Sequence, residues 1–161
     1  MTAPVMKDGG ERQEFATGAV RDTAEGKPMY RFLPPFAWPH VHDKYGSYIR
    51  AALNAETNVD KRDIFIQLYE VLVVHVGHER LLEWLRQGSL KYDAFNWAKG
   101  ISCLRCLDSI GRHMAAAAIG KSDEDHLAAL MCNVMFTIQY LVRDTSGNPI
   151  PGIVDFYDFN Q

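Results

Sequence analysis

The sequence predicts a mainly α fold, a helical bundle flanked by extended N- and C-terminal arms. Three observations carry this. Apolar residues recur at helical spacing over about 61–89, 102–119 and 122–142. Proline and glycine crowd into residues 15–39 (Gly18, Gly26, Pro28, Pro34, Pro35, Pro39), so no single regular element can run there. Alternating apolar residues follow the Ser146–Pro149 turn, as a short strand or an arm that packs on a neighbouring subunit.

The 161 residues suit one domain with a sizeable core, read as 15–161 behind a polar, flexible tail over 1–14. The net charge of -3 gives no basic excess and argues against a nucleic-acid duplex as partner. A mildly acidic chain that binds phosphates must gather its lysines and arginines locally or use metal ions. Three cysteines and no secretory signal point to a reducing compartment, the cytoplasm. No apolar run reaches membrane-span length; VLVVHVG at 71–77 is short and holds His75.

Taken in order, residues 15–39 read as an arm wrapped over a core, anchored by Phe15, Tyr30, Phe32, Phe36 and Trp38. Its cations Arg21, Lys27 and Arg31 read either as solvated charges or as phosphate contacts. A short helix over about 48–55 follows. Before it, His40, His42 and Asp43 have a spacing that can chelate, and His-Asp is the dipeptide of one class of metal-dependent phosphohydrolases. Directly after Pro39 they also read as surface polar residues.

The long helix over 61–89 has Asp60 or Asp63 as its N-cap, Gly77 as a kink or break, and Gly88 as a C-terminal cap. Glu79 and Glu83, four apart, either pair with Arg80 and Arg86 or hold a hard cation. In the loop 90–101, Tyr92, Phe95 and Trp97 either tuck onto the core or stack on a base, and Asn96 can read a base edge.

The second helix buries Leu104, Leu107, Ile110 and Met114 and presents Arg105, Asp108 and Arg112, with Asp108 and Arg112 spaced to pair. Cys103 and Cys106 lack the second pair that zinc would need. Ser122, three before Asp125, is the expected cap of the third helix, whose acidic start suits a helix N-terminus. His126 and Asn133, seven apart, share a face beside Ala129. Asn133 is either a satisfied core amide or a ligand contact.

Five segments in order, TGAVRDTAEGKP (17–28), RLLE (80–83), GSLKYDAFNWAKG (88–100), LDSIGRH (107–113) and DEDHLAALMCN (123–133), resemble the phage-type dATP/dGTP diphosphohydrolase family. That family is grouped with the all-α MazG-like (MazZ-like) nucleotide pyrophosphohydrolases, and the resemblance spans about two-thirds of the chain. It implies a helical bundle of that type and a homo-oligomer, dimer or tetramer, in the host cytoplasm if phage-encoded. It also implies hydrolysis of dGTP or dATP to monophosphate and pyrophosphate with Mg²⁺ or Mn²⁺. The chain lacks the usual E-x-x-E followed by E-x-x-D.

Carried onto this sequence, the resemblance implies metal ligation by Glu83, Asp108 and Asp125, with Glu83 and Asp108 foremost, and Glu79 joins them as an expected ligand through its spacing with Glu83. Arg21, Lys27, Lys91 and Arg112 are then expected on phosphate oxygens, with Asn96 and Trp97 on the base and Asn133 near the substrate. His113 and His126 are expected to bond phosphate or orient a carboxylate. Two other classes stay open: a His-Asp triphosphohydrolase using His40, His42 and Asp43, and a non-catalytic nucleotide-binding helical module.

Overall fold

The computed structural model describes residues 4–159 and is mainly α, as the periodicity predicts. Strands β1 (Arg12–Glu14) and β2 (Val20–Asp22) pair antiparallel, with Gln13 opposite Arg21. Short 3-10 turns at Tyr30–Phe32 and Pro35–Ala37 lead into helices α1 (Trp38–Val41) and α2 (Gly46–Asn54). Helices α3 (Asn58–Val76), α4 (His78–Lys91), α5 (Cys103–Ala118) and α6 (His126–Thr145) build the bundle.

Helix α6 is the centre and packs against α3, α4 and α5. Every residue from Ala128 to Val134 is buried, so this helix has partners on all sides in its first half. Small side chains at Ala128 and Ala129 let its neighbours approach closely.

The expected helix over 61–89 is two helices. Gly77, at φ 83° and ψ 151°, stands in a conformation that only glycine adopts readily, and the chain turns there. The first of the pair is capped by Thr57, not by Asp60 or Asp63: the Thr57 hydroxyl oxygen accepts from the Asp60 N–H at 3.1 Å. Gly88 lies inside α4, which runs on to Lys91. The third helix starts at Asp125, not Ser122, because the Asp125 carboxylate accepts from Ala128 N–H at 3.0 Å.

Residues 4–14, expected as a loose tail, contribute β1 and lie against the bundle. Met6 N–H donates to the Gln87 side chain and Lys7 N–H to Glu124. Residues 1–3 lie outside the described part of the chain. The C-terminal arm forms no strand among the described residues and packs on its own chain. Asp155 accepts from Leu104 N–H at 3.0 Å, capping α5, and Phe156 stacks on Phe65. No helix among the described residues is long and apolar enough to cross a membrane.

The N-terminal arm is seated on α5 by a close approach at Gly111. A Cβ there would lie 2.1 Å from Cγ of the Tyr30 ring, so any side chain displaces the arm. We expect Gly111→Ala to destabilise the protein by about 1–3 kcal/mol, as overpacking does. An unchanged urea midpoint would show that the arm can slide aside at no cost.

Candidate active site

Four residues of α5, Arg105, Ser109, Arg112 and His113, fall at i, i+4, i+7 and i+8 and so share one face. That face lines a cavity of about 680 Å³ between α5, α6, α4, β2 and the loop after α4. Arg21 and Lys27 join it from the arm, and Trp97 and Phe136 form an apolar wall.

The cationic part is Arg21, Lys27, Arg105 and Arg112, and among the described residues none of the four has a carboxylate within ion-pair distance. The three arginines are held by neutral groups instead. Arg21 donates to the Asn133 side-chain oxygen at 2.9 Å and to Ser109 Oγ at 3.3 Å. Arg112 donates to the same Oγ at 2.9 Å and to Pro28 O at 3.3 Å. Arg105 donates from Nη2 to Asp22 O at 3.1 Å, and its buried Nε and Nη1 have no partner among the described residues.

Burial, then the neighbouring Arg21 and Arg105, bring Arg112 down to about 10, so it stays charged at neutral pH. Burial also lowers Lys27, with Arg112 and Arg105 adding to the effect against the pull of Asp22. Arg105 is lowered by burial and then by Arg21. Cations that depress one another around a cavity, with N–H groups unspent, leave its wall electropositive.

At the other end of the α5 face stands a cluster of His113, Glu124 and His126, with one ligand atom of each within 4.8 Å of the others. The two Nδ1 atoms are 3.1 Å apart, and His126 Nε2 faces Asp123 Oδ1 at 2.7 Å. Burial first, then His126 and Arg112, push His113 down to about 3, so its imidazole is neutral. Asp123 is held well below the usual carboxylate range by Lys7, then by His126.

This donor set fits a divalent ion. Neutral imidazole is the ligating form, and a ligating histidine ordinarily turns its second nitrogen to a carboxylate, as His126 does to Asp123. Two imidazole nitrogens and one carboxylate oxygen give a mixed nitrogen and oxygen donor set for a divalent ion.

Residues 66–149, just over half of the chain, match the family model described as dATP/dGTP diphosphohydrolase, N-terminal. The chain belongs to the dATP/dGTP diphosphohydrolase family. No curated protein and no solved structure matches it. The matched span of this diphosphohydrolase-family chain holds the whole α5 face and the His113–Glu124–His126 cluster, and Arg21 and Lys27 reach the same cavity from outside it.

The carboxylates expected on the metal are spent elsewhere. Asp108 is fully buried, accepting Arg31 N–H at Oδ1 and the Arg31 guanidinium at Oδ2, at 2.5–2.8 Å. Its partner is Arg31, not Arg112. Glu83 is held by Arg86 at 2.8 Å and by Gln87 at 2.9 Å, and these bonds bring it down to about 2. Asp125 caps α6 and takes both Arg80 donors, at 2.9 and 2.6 Å. Glu79 lines a small cleft of about 210 Å³ with Glu83 and Asp125, outside the main cavity. The acid beside the histidines is Glu124, one residue before Asp125.

Asn96 has no free base-reading edge. Its side-chain oxygen accepts from Val20 N–H and its nitrogen donates to Val20 O, both at 2.7 Å, so it clamps β2 as a neighbouring strand would. Trp97 stacks on Phe136 at 5.8 Å, and its backbone carbonyl accepts from Tyr140 OH at 2.7 Å. Lys91 donates to Asp22 at 2.7 Å and to Lys7 O at 2.6 Å, and Tyr92 OH donates to Asp22 at 2.9 Å. Asn133 is buried and orients Arg21, with its own nitrogen on Ala129 O at 2.8 Å.

His42, Asp43 and His40 form no ligand cluster. His42 Nδ1 accepts from Tyr45 N–H at 3.3 Å, its ring stacks on Tyr45, and Asp43 is exposed. Arg105, Ser109, Asp123 and Glu124 were not singled out as site residues by sequence reasoning. The signal for Arg105 was its place seven residues before Arg112.

We expect Asn96→Ala to cost about 2 kcal/mol of stability through two lost hydrogen bonds, rather than to alter base choice. Urea unfolding beside substrate kinetics separates these outcomes. Asp108→Ala leaves the Arg31 charge half-buried without its partner and should cost about 3–5 kcal/mol. A variant that melts near wild type would dismiss the pair as a structural anchor.

Proposed function

We propose that the protein hydrolyses purine deoxynucleoside triphosphates, dGTP or dATP, to the monophosphate and pyrophosphate with a divalent ion, Mg²⁺ or Mn²⁺. One observation carries this reading: a single cavity joins four cations without carboxylate partners to a rim on which His113 and Glu124 stand. A polyphosphate satisfies the first and an ion the second. The family match supports hydrolysis, and the resemblance supplies the purine.

In the proposed reaction a water oxygen bonds to the α-phosphorus. The bond from that phosphorus to the bridging oxygen breaks, and its electron pair leaves with pyrophosphate. A bound divalent ion supplies activation of water and offsets charge on the phosphoryl oxygens. The chain's own residues do the rest. Arg112, Arg105 and Lys27 face the charge that grows on the leaving pyrophosphate, and they are already in place. Ser109 and Asn133 fix Arg112 and Arg21, so little reorganisation is needed. Asp123 holds the His126 ring, and burial keeps His113 in its ligating form. The same reading carries a cytoplasmic homo-oligomer.

When the four deoxynucleoside triphosphates are each incubated with Mn²⁺, dGTP or dATP should yield its monophosphate and pyrophosphate in preference to dCTP and dTTP. Release of triphosphate, or of orthophosphate with dGDP, would defeat the proposal. Glu124→Gln should abolish Mn²⁺ binding by calorimetry along with turnover. Asp123→Asn, acting through His126, should weaken Mn²⁺ by about 10–100-fold. Unchanged Mn²⁺ affinity in both would remove the cluster from the reaction.

A further inference from the structure

The loop after α4 is tied down at three points. Tyr92 OH donates to Asp22, Asn96 is doubly bonded to Val20, and Trp97 is stacked on Phe136. Between the first two ties the chain must reverse within three residues. It does so with Asp93 at φ 132° and Phe95 at φ 57°, the two non-glycine residues of positive φ among the described ones. Such backbone is strained for side chains with a Cβ, and a glycine at 95 would relieve it.

The strain delivers an exposed ring. Phe95 is 72% exposed, lines the cavity, and stands edge-on to Trp97 with centroids 6.5 Å apart. Leu82, 62% exposed, lines the same mouth. Trp97 has Phe136 parallel to it at 14°, so one of its faces is taken. Asn96 has no free polar edge. The mouth of a cavity with a cationic wall therefore ends in a flat aromatic face with no partner stacked on it. A ligand that fills both parts is anionic at one end and planar and apolar at the other.

Resting on the nucleotide reading above, we infer that Phe95 is the platform on which the nucleobase stacks. It sets base affinity, and favours purines by contact area rather than by hydrogen bonds. Stacking on an aromatic ring tolerates every base, and the larger bicyclic face gains most.

The test is kinetics of Phe95→Ala, Phe95→Leu and Phe95→Tyr with dGTP and dCTP in Mn²⁺, with calorimetry of inorganic tripolyphosphate and thermal melting. The Ala and Leu variants should raise KM for dGTP about tenfold or more, and raise it less for dCTP, while Tyr restores it. Tripolyphosphate affinity and melting temperature should stay at wild-type values, since it has no base and the ring is exposed. An unchanged KM for dGTP in Phe95→Ala overturns the inference and leaves the nucleotide reading standing. A drop in melting temperature with an equal loss of tripolyphosphate affinity makes Phe95 a structural anchor and also overturns it. A wild-type protein that neither binds nor cleaves any of these nucleotides brings down the underlying reading as well.

Discussion

The buried pair of Asp108 and Arg31 is the constraint on which the rest of the site depends. Asp108 is fully buried on α5, and the Arg31 side chain is largely covered over it. A charge in that position is tolerated only because Arg31 meets both of its oxygens, one of them with the backbone N–H. The pair fixes a non-regular arm in register with a helix. Once Arg31 is set, Tyr30 falls against Gly111, and Pro28 O falls within reach of Arg112. Upstream, Arg21 reaches Ser109 and Asn133. The arm can contribute Arg21 and Lys27 to the cavity because its attachment to α5 lies at Asp108, beside the cavity face and not on it.

Electrostatic partition follows from the same plan. The net charge is -3, yet the cavity is positive because the acids are engaged with other cations. Asp108 takes Arg31, Glu83 takes Arg86, Asp125 takes Arg80, and Asp22 takes Lys91 and Arg12. Arg21, Arg105 and Arg112 are left with serine, asparagine and backbone oxygens, which orient a guanidinium without cancelling its charge. Overall charge does not report this, since local unneutralised charge is what an anion meets.

Much of the fold was legible because helices announce themselves by apolar period, and Gly77 marked the break between α3 and α4. His113 and His126 were candidates in the sequence, with a core role as the alternative, and the structure brings them together with Glu124. The acids were not legible. Asp108 and Asp125 were expected as ligands from the resemblance, but which arginine meets a carboxylate depends on what the tertiary structure brings to it. Arg80 and Arg31 lie 45 and 77 residues from their partners. Glu124 and Asp125 are adjacent in sequence and opposite in role: one turns into the helix cap and the other out toward the histidines. Asn96 misled for a similar reason, since an amide that mimics a strand edge looks in sequence like an amide that reads a base.

The two halves of the site are coupled by proximity. Arg112 and His113 are neighbours on α5, and the positive charge of Arg112 is one of the causes that keep His113 unprotonated. That same charge opposes a divalent ion at the cluster. A polyanion in the cavity reverses the balance, because it neutralises Arg112 and offers oxygens toward the ion. On the proposed reading, ion and polyphosphate favour each other's binding, and linkage makes the benefit reciprocal. The cost of crowding four cations is borne by the ligand-free protein, with two unpaired donors on Arg105 as its visible part. Ligand binding should then raise stability as well as fill the site, because it acts on the folded state alone. A pocket arranged this way favours a more highly charged polyphosphate over a monophosphate, since each phosphate removed returns part of the repulsion among Arg21, Lys27, Arg105 and Arg112.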